Sequence, residues 1–326
     1  MSTASTTTLS TNRIPVILLI GFLVLVGGGL WYAVDSFEKT NRVESAGPES
    51  MRPAPASSLH ELAAAGTLDD AAIAAAQRAG SDLNAALTTP ISGERGLTPL
   101  MLASLRAKPN AVRALLNAKA DPDLRSKEGK TALFFAAGWG GPECVEALLS
   151  ARASVDARTD QAWSALMIAA ARGEGACVDR LIEAGADVRA RNRWGQTPLS
   201  LAAMHASLDV AKRLLKAGAP IADADNDGVT ILAHAAKSPA GDENAIELLR
   251  VLLESGANPN TPDVDGVTTL MWAADAADQP RILLLLNHGA DPNAKDKDGR
   301  TALDWANARD DDNGRAAAAV LKDAMR

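Results

Sequence analysis

A run of alternating acidic residues is the first place in the sequence where side chains could bind a metal ion. Asp223, Asp225 and Asp227 precede a glycine, as in the start of a calcium-binding loop. Such a loop also needs a bidentate glutamate at its twelfth position, where this sequence has His234. We therefore expect no metal here and interpret residues 223–228 as a hairpin between two structural units.

The two cysteines, Cys144 and Cys177, are the next candidates for chemistry. They lie 33 residues apart, with no CxxC or Cys/His spacing that would indicate zinc. In a stack of helical units, equivalent positions lie on the order of 10 Å apart, beyond the Cα separation of about 7 Å that a disulfide allows. We expect two buried free thiols, with a disulfide as the alternative. No phosphate loop, GxSxG elbow or HExxH helix occurs, so no catalytic residue or cofactor is expected.

Composition and charge narrow the possible partners. The formal net charge is −7, which argues against a nucleic-acid partner, because such proteins carry basic patches. Hydrophobic residues make up 47% of the chain but aromatic residues only 3%, so alanine supplies much of the apolar content. Alanine favours closely packed helices.

The N-terminal part of the sequence predicts a membrane anchor. Residues 14–34 carry no charged side chain, and a helix of that length spans about 31 Å, enough for a bilayer core of roughly 30 Å. Trp31 and Tyr32 lie at its far end, where such rings favour the membrane interface. We predict a tail over 1–13, a transmembrane helix over 14–34 and a flexible linker over 35–56. A cleaved signal peptide is the alternative, although its apolar region would be shorter.

A short motif recurs through the rest of the chain with a period of 33 residues. Each copy has Thr or Ser, then Leu two residues later and Ala five residues later. Thr and Ser suit a helix N-cap and Pro suits the first turn, so each copy predicts the start of a short helix. One interval is 38 residues instead of 33. The copies begin at Thr98, Thr131, Ser164, Thr197, Thr230, Thr268 and Thr301.

A second apolar stretch with helical spacing follows each copy, as at Val178, Leu181 and Ile182. It ends at a glycine such as Gly185, which relieves the left-handed strain of a helix end. One helix pair cannot bury its apolar faces alone, whereas a stack of pairs buries a continuous core. The sequence therefore predicts an all-α helix–turn–helix solenoid with short hairpin loops.

The seven motif copies in one register resemble the ankyrin repeat family. The resemblance covers residues 57–326, with seven clear repeats from 98 and a degenerate N-terminal capping repeat over 57–90. It implies an ankyrin-type solenoid, here preceded by one transmembrane helix, whose role is to bind another protein.

The chain departs from the family pattern in three places. The family's histidine after the Leu survives only at His60, so its hydrogen bonds are expected to be mostly absent elsewhere. Ala162 replaces a hairpin glycine. The repeat from Thr230 has five extra residues, expected around 238–244 between its two helices. A special local feature and a neutral insertion are equally open explanations.

In ankyrin-like stacks the hairpin tips and the solvent side of the first helices form a concave binding surface. By register, this surface takes the positions four, three and one before each Thr or Ser, and seven and eight after it. Trp and Arg dominate protein–protein binding energies, and a covered Trp contributes roughly 1.5–3 kcal/mol. The alternative is that these rings only fill gaps between hairpins. The predicted partner-binding residues are Trp139, Trp163, Arg172, Arg193, Trp194, Met204 and His205.

Two further tryptophans, Trp272 and Trp305, lie four residues after their Thr, where Leu102 and Ile168 stand in other repeats. We predict that both belong to the core.

Together these features predict a non-enzymatic scaffold that is held by a membrane anchor and binds a partner protein. No small-molecule substrate is expected. Arg13, just before the anchor, favours an extracytoplasmic repeat domain, periplasmic in a bacterium. A cytosol-facing scaffold, a secreted protein and, remotely, an enzyme with an unrecognised site are alternatives. The free cysteines count against an oxidising compartment.

Overall fold

The structure is a computed structural model that describes residues 58–91, 93–238 and 241–326. The predicted tail, transmembrane helix and linker lie outside these residues. Within the described ranges, no helix combines the length and apolar character needed to cross a membrane.

The described residues form sixteen α-helices arranged as eight consecutive pairs, with only isolated β-bridges and no strand. We number the pairs as repeats 1 to 8. The first and second helices are α1 Leu59–Ala65 and α2 Asp70–Arg78, α3 Pro99–Leu105 and α4 Pro109–Asn117, α5 Ala132–Phe135 and α6 Pro142–Ser150, α7 Ala165–Arg172 and α8 Gly175–Glu183, α9 Pro198–Met204 and α10 Leu208–Lys216, α11 Ile231–Ala236 and α12 Glu243–Glu254, α13 Thr269–Asp275 and α14 Gln279–Asn287, and α15 Ala302–Asn307 and α16 Asp312–Ala324.

Every first helix begins directly after the predicted Thr or Ser. In most repeats the side-chain oxygen of that residue accepts the backbone N–H three residues later, as from Met101 to Thr98 at 3.3 Å and from Met167 to Ser164 at 3.2 Å. The degenerate first repeat follows the same rule, with Ser58 and Glu61 forming a reciprocal capping box. The predicted motif therefore sets the start of each repeat, including the capping repeat.

The core is built from the two apolar positions of that motif. The Leu two residues after each cap is buried in repeats 2 to 7, as at Leu100 and Leu166, and the Ala five residues after it is 0% exposed in repeats 2 to 8. Because alanine has so small a side chain, neighbouring first helices can approach closely. Short first helices stack on first helices, and second helices stack on second helices. The solenoid prediction is thus confirmed.

Backbone hydrogen bonds also join successive hairpins. The N–H of Asp160 donates to the carbonyl of Glu128 at 3.2 Å, and the N–H of Lys297 donates to the carbonyl of Asp265 at 2.9 Å. Equivalent bonds occur at the other junctions from repeat 2 onward. Ala162 adopts φ 60° where the neighbouring hairpins have glycine, so the missing glycine leaves the hairpin intact but with a residue in the left-handed region.

The missing family histidines are partly replaced by other side chains. In repeat 1, His60 Nε2 lies 2.9 Å from the carbonyl oxygen of Ala85. In repeat 5, Ser200 Oγ accepts the N–H of Thr197 at 2.8 Å, and in repeat 8 Asp304 accepts that of Thr301 at 2.8 Å. The expectation that these hydrogen bonds are mostly absent is therefore too simple, because Ser200 and Asp304 make similar ones.

The prediction that the five extra residues of repeat 6 lie between its two helices is only partly right, because two of them lie there. The second helix begins 13 residues after Thr230, two later than in the other repeats from repeat 2 onward. It is 12 residues long, whereas the equivalent second helices in repeats 2 to 5 and 7 have nine. Three of the five residues therefore extend α12.

A buried ion pair of repeat 7 holds this insertion in place. The Arg281 side chain is 0% exposed, and its Nη1 donates to the carbonyls of Ala236 at 3.2 Å and Ser238 at 2.5 Å. The carboxylate of Asp278 lies 3.4 Å from Arg281 Nε and accepts the N–H of Gly241 at 3.0 Å. The pair thus binds backbone groups on both sides of positions 239–240.

Candidate functional site

The hairpins lie against the first helices, so that together they form one face of the stack. Gln196 in a hairpin donates to Met204 Sδ on α9 at 3.6 Å, and Asp296 accepts from Trp305 Nε1 on α15 at 2.9 Å. We call the hairpin tips and the exposed side of the first helices the hairpin face. Six of the seven predicted partner-binding residues reach solvent here: Trp139, Arg172, Trp194 and Met204 are half-buried, and Arg193 and His205 are exposed.

Trp139 lies in an unusual turn. Helix α5 continues into a π-helical turn over Ala136–Gly140, a rare geometry that is frequent at functional sites. The turn lays the indole ring beside Phe134 and Phe135, with ring centroids 6.4 and 6.3 Å away. The aromatic cluster keeps the ring at a fixed position on the surface of repeat 3.

Two glycines allow this turn to pack against its neighbours. A Cβ on Gly140 would lie 2.3 Å from the carbonyl oxygen of Ser104 in repeat 2, and a Cβ on Gly138 would lie 2.9 Å from Cγ1 of Ile168 in repeat 4. Only glycine fits such close approaches, so both neighbours of repeat 3 constrain the position of Trp139.

Arg172 of repeat 4 packs its guanidinium against the indole of Trp139, 4.9 Å from the ring centroid. Its Nε atom is buried and has no hydrogen-bond partner among the described residues. A cation over a Trp face is attracted by the ring quadrupole, by about 0.5–1 kcal/mol where exposed and more where desolvated. The structure thus brings these two predicted residues together.

The hairpin between repeats 4 and 5 carries a second group of predicted residues. The N–H of Trp194 donates to Asn192 Oδ1 at 3.0 Å, which fixes the start of the tip. Arg193 Nη1 donates to Gln161 Oε1 of the preceding hairpin at 3.4 Å. Met204 contacts the same hairpin through Gln196. A half-buried Trp beside an exposed Arg is an arrangement found at binding hot spots.

The expectation that Trp163 faces a partner is wrong, because this residue is only 4% exposed. Its backbone N–H donates to Thr159 Oγ1 at 3.1 Å within a closed hairpin. The position one before the cap is mostly a core position in this chain, since Leu97, Val229 and Val267 are buried there as well. These apolar residues were a visible signal that the position is buried.

The prediction that Trp272 and Trp305 belong to the core is only partly right, since both are half-buried. An indole is larger than the Leu or Ile that fills this position elsewhere, so it extends from the core to the hairpin face. The two rings meet edge to face at 5.6 Å, and the ammonium of Lys237 lies 3.8 Å from the centroid of Trp272. Lys237 stands seven residues after its cap, so the register rule already pointed to it.

Comparison with known proteins agrees with this architecture. A family model for ankyrin repeats, in three copies, matches residues 59–159, 166–263 and 240–321. The chain belongs to the ankyrin repeat family. Ankyrin repeats indicate a protein–protein interaction domain, and the family is generally non-enzymatic.

The crystal structure of the human ASB11 ankyrin repeat domain is similar to this ankyrin chain. The two share 24% sequence identity with a TM-score of 0.60, over 69% of this chain and 98% of the other. At this identity the likeness concerns the fold alone. No curated protein matches the sequence.

The acidic segment 223–228 forms an ankyrin hairpin, as predicted. Asp225 accepts the backbone N–H groups of Asp227 and Val229, and His234 Nε2 lies 2.9 Å from its Oδ2. Burial raises the pKa of Asp225, but these hydrogen bonds more than offset that effect and hold the pKa below its usual value. The carboxylate of Asp225 is thus already hydrogen-bonded within its own repeat.

The ankyrin repeats leave both cysteines as free thiols, each 0% exposed, as predicted. Burial raises the pKa of Cys144 to about 11 and that of Cys177 to about 12. Because the thiolate is the reactive species, two buried thiols with raised pKa values are chemically inert.

Proposed function

We propose that this chain is a membrane-anchored ankyrin scaffold that binds a partner protein on its hairpin face. The observation that carries the proposal is the set of half-buried indoles and guanidinium groups on that face, above all Trp139 beneath Arg172 and Trp194 beside Arg193. Rigid aromatic and arginine side chains that are only partly covered gain the most from burial against a partner.

The family and the geometry favour binding rather than catalysis. Within the described residues, no group of three or more metal-ligating side chains is found. The buried carboxylates Asp225 and Asp296 are each held by several hydrogen bonds within one repeat. The large side chains of the hairpin face, by contrast, leave apolar area for a partner to cover.

We further propose that residues 14–34 anchor the scaffold and that the repeats face the extracytoplasmic side. The uncharged run and Arg13 before it support this orientation. The free cysteines favour the cytosol in general, but burial and raised pKa values protect Cys144 and Cys177 from oxidation. Protease digestion of intact cells, or of spheroplasts in a bacterium with an outer membrane, tests the orientation, because only an extracytoplasmic domain is then cleaved before lysis.

Partner capture by the full chain in mild detergent tests the binding face. Trp194→Ala and Arg193→Ala act at a hairpin tip and leave the core intact, so we expect each to weaken capture about tenfold or more. Leu283→Ala is the matched control, because Leu283 is 47% exposed on a second helix, away from the hairpin face. Equal capture by wild type and both tip variants contradicts the proposal.

A further inference from the structure

The hairpin face carries a set of large basic and aromatic side chains, one from each of five consecutive repeats. We call it the basic-aromatic stripe. Three of its members, Arg172, His205 and Lys237, are basic residues, although the chain as a whole has a net charge of −7. In order from repeat 3 to repeat 7, its members are Trp139, Arg172, His205, Lys237 and Trp272.

The cations of the stripe contact rings instead of carboxylates. Arg172 lies over Trp139 of the preceding repeat, at 4.9 Å, and Lys237 lies over Trp272 of the following repeat, at 3.8 Å. Neither forms an ion pair or a side-chain hydrogen bond with any other described residue. An aromatic face holds a cation in place without neutralising its charge.

Arg300 makes a similar cation–ring contact, but carboxylates neutralise its charge. It also lies over an indole, that of Trp305, at 5.0 Å. Its guanidinium, however, pairs with Asp296 at 2.9 Å and with Asp298 at 3.0 Å. Among the described cations that lie over aromatic rings, Lys130 and Arg300 also pair with carboxylates, whereas Arg172 and Lys237 do not.

Two of the three carboxylates that act on Lys237, those of Asp225 and Asp263, already accept hydrogen bonds from their own hairpins. Burial lowers the pKa of Lys237, while Asp263, Asp225 and Asp227 act against that shift from a distance. Asp263 accepts two backbone N–H groups of its own hairpin, at 3.0 and 2.9 Å. The half-buried ammonium of Lys237 thus forms no ion pair with a described residue, and a carboxylate of a partner protein could pair with it.

We propose that the basic-aromatic stripe binds an extended acidic segment of the partner protein. The inference rests on the proposed function and adds the chemistry of the ligand. Stacked repeats lie on the order of 10 Å apart, and an extended chain rises about 3.3 Å per residue. Arg172 and Lys237, two repeats apart, therefore match two carboxylates about six residues apart, with apolar side chains beyond them over Trp139 and Trp272.

A protein segment fits this stripe better than a nucleic acid does. The hairpin tips beside it carry Glu128, Asp160 and Asp227, which would repel the phosphate of every nucleotide. A segment with only two carboxylates can place both at Arg172 and Lys237, away from the tips. Two separated cations with indoles at both ends match two carboxylates within an apolar sequence, because each indole needs an apolar side chain to cover it.

Fluorescence anisotropy with the full chain in mild detergent tests the proposal. The probe is a labelled synthetic peptide with two glutamates about six residues apart and leucines outside them. A peptide with glutamine in place of glutamate and a single-stranded oligonucleotide of similar length are the comparison ligands. We expect the glutamate peptide to bind at least about tenfold more tightly than either.

The protein variants are Arg172→Gln and Lys237→Gln, each expected to weaken the glutamate peptide about tenfold without changing the circular dichroism spectrum. Lys216→Gln, at an exposed position of the second helix α10, makes the same charge change and is expected to have no effect. The inference is overturned if the glutamate peptide does not bind, or if the glutamine peptide binds equally well. It is also overturned if the oligonucleotide binds more tightly, or if both stripe variants bind the glutamate peptide as the wild type does.

The two proposals fail in distinguishable ways. If Trp194→Ala weakens partner capture while Arg172→Gln and Lys237→Gln do not, the hairpin face stands and the acidic ligand is rejected. If neither the tip variants nor the stripe variants weaken capture, the hairpin face itself is rejected.

Discussion

Replacing Arg281 with methionine should destabilise the C-terminal repeats strongly. The guanidinium is fully buried, and it satisfies the carbonyls of Ala236 and Ser238 on one side of the insertion. Without it, those carbonyls lose a charged donor and the buried carboxylate of Asp278 loses its cation. Breaking a buried ion pair by removing one partner costs about 3–5 kcal/mol, so we expect a loss of about 4 kcal/mol.

Urea denaturation of the full chain in mild detergent measures this loss. With a slope of about 2 kcal/mol per M for unfolding of the C-terminal repeats, the midpoint of their transition should fall by about 2 M. Because the stack is held together by nearest-neighbour contacts, the N-terminal repeats should keep their own transition. Native-state proteolysis should increase between Ser238 and Glu243, where the insertion is released.

Two variants make the test specific. Adding Asp278→Asn to Arg281→Met removes the uncompensated charge, so the double variant should recover part of the loss. Arg180→Met removes an exposed arginine that pairs with Glu146 and Glu183, and it should change stability by less than about 1 kcal/mol. A midpoint shift for Arg281→Met no larger than that of Arg180→Met, without new cleavage at the insertion, would refute the reasoning.

Three further predictions concern stability. Gly140→Ala places a Cβ 2.3 Å from a backbone oxygen, so we expect a loss of about 3 kcal/mol in urea denaturation, and a loss below about 0.5 kcal/mol would contradict the packing argument. Ala162→Gly relieves a residue at φ 60° and should stabilise by about 0.5–1 kcal/mol, measured in the same way; destabilisation would argue against strain there. The lowered pKa values of Asp225 and Asp296 contribute stability above about pH 4 that is lost as the pH falls through the folded-state pKa, so hydrogen exchange at low pH should rise first in repeats 6 to 8. Earlier opening of repeats 2 to 4 would count against that assignment.

The repeat architecture could be predicted because its signals are local. A Thr or Ser such as Thr98 caps a helix through its own side chain, and the Leu and Ala that follow, as at Leu100 and Ala103, face the same neighbours in most repeats. Neither relation depends on the rest of the chain. For the same reason the degenerate first repeat, capped by Ser58, was recognisable without the full motif.

The candidate site could be predicted only in part, because exposure depends on contacts between repeats. The family rule places Trp163 on the surface, whereas this chain uses that position for its core. The π-helical turn that places Trp139 requires the approach of Gly140 to Ser104 in another repeat. The pairing of Lys237 with a ring of repeat 7 likewise joins residues 35 positions apart.

The stripe and the stability of the repeats are coupled through the stacking itself. Lys237 and Trp272 lie in repeats 6 and 7, in the part of the stack where the hairpins depend on buried carboxylates such as Asp225. Repeats 3 to 5 have neutral residues at that hairpin position and an apolar residue four after the cap, so acid affects them less. A ligand that binds only the folded stripe adds stability in proportion to the logarithm of its concentration over its Kd. Since the stripe spans repeats 3 to 7, such a ligand should stabilise repeats 6 and 7 together with repeats 3 and 4. Acid should weaken binding, because it opens the C-terminal end of the stripe first.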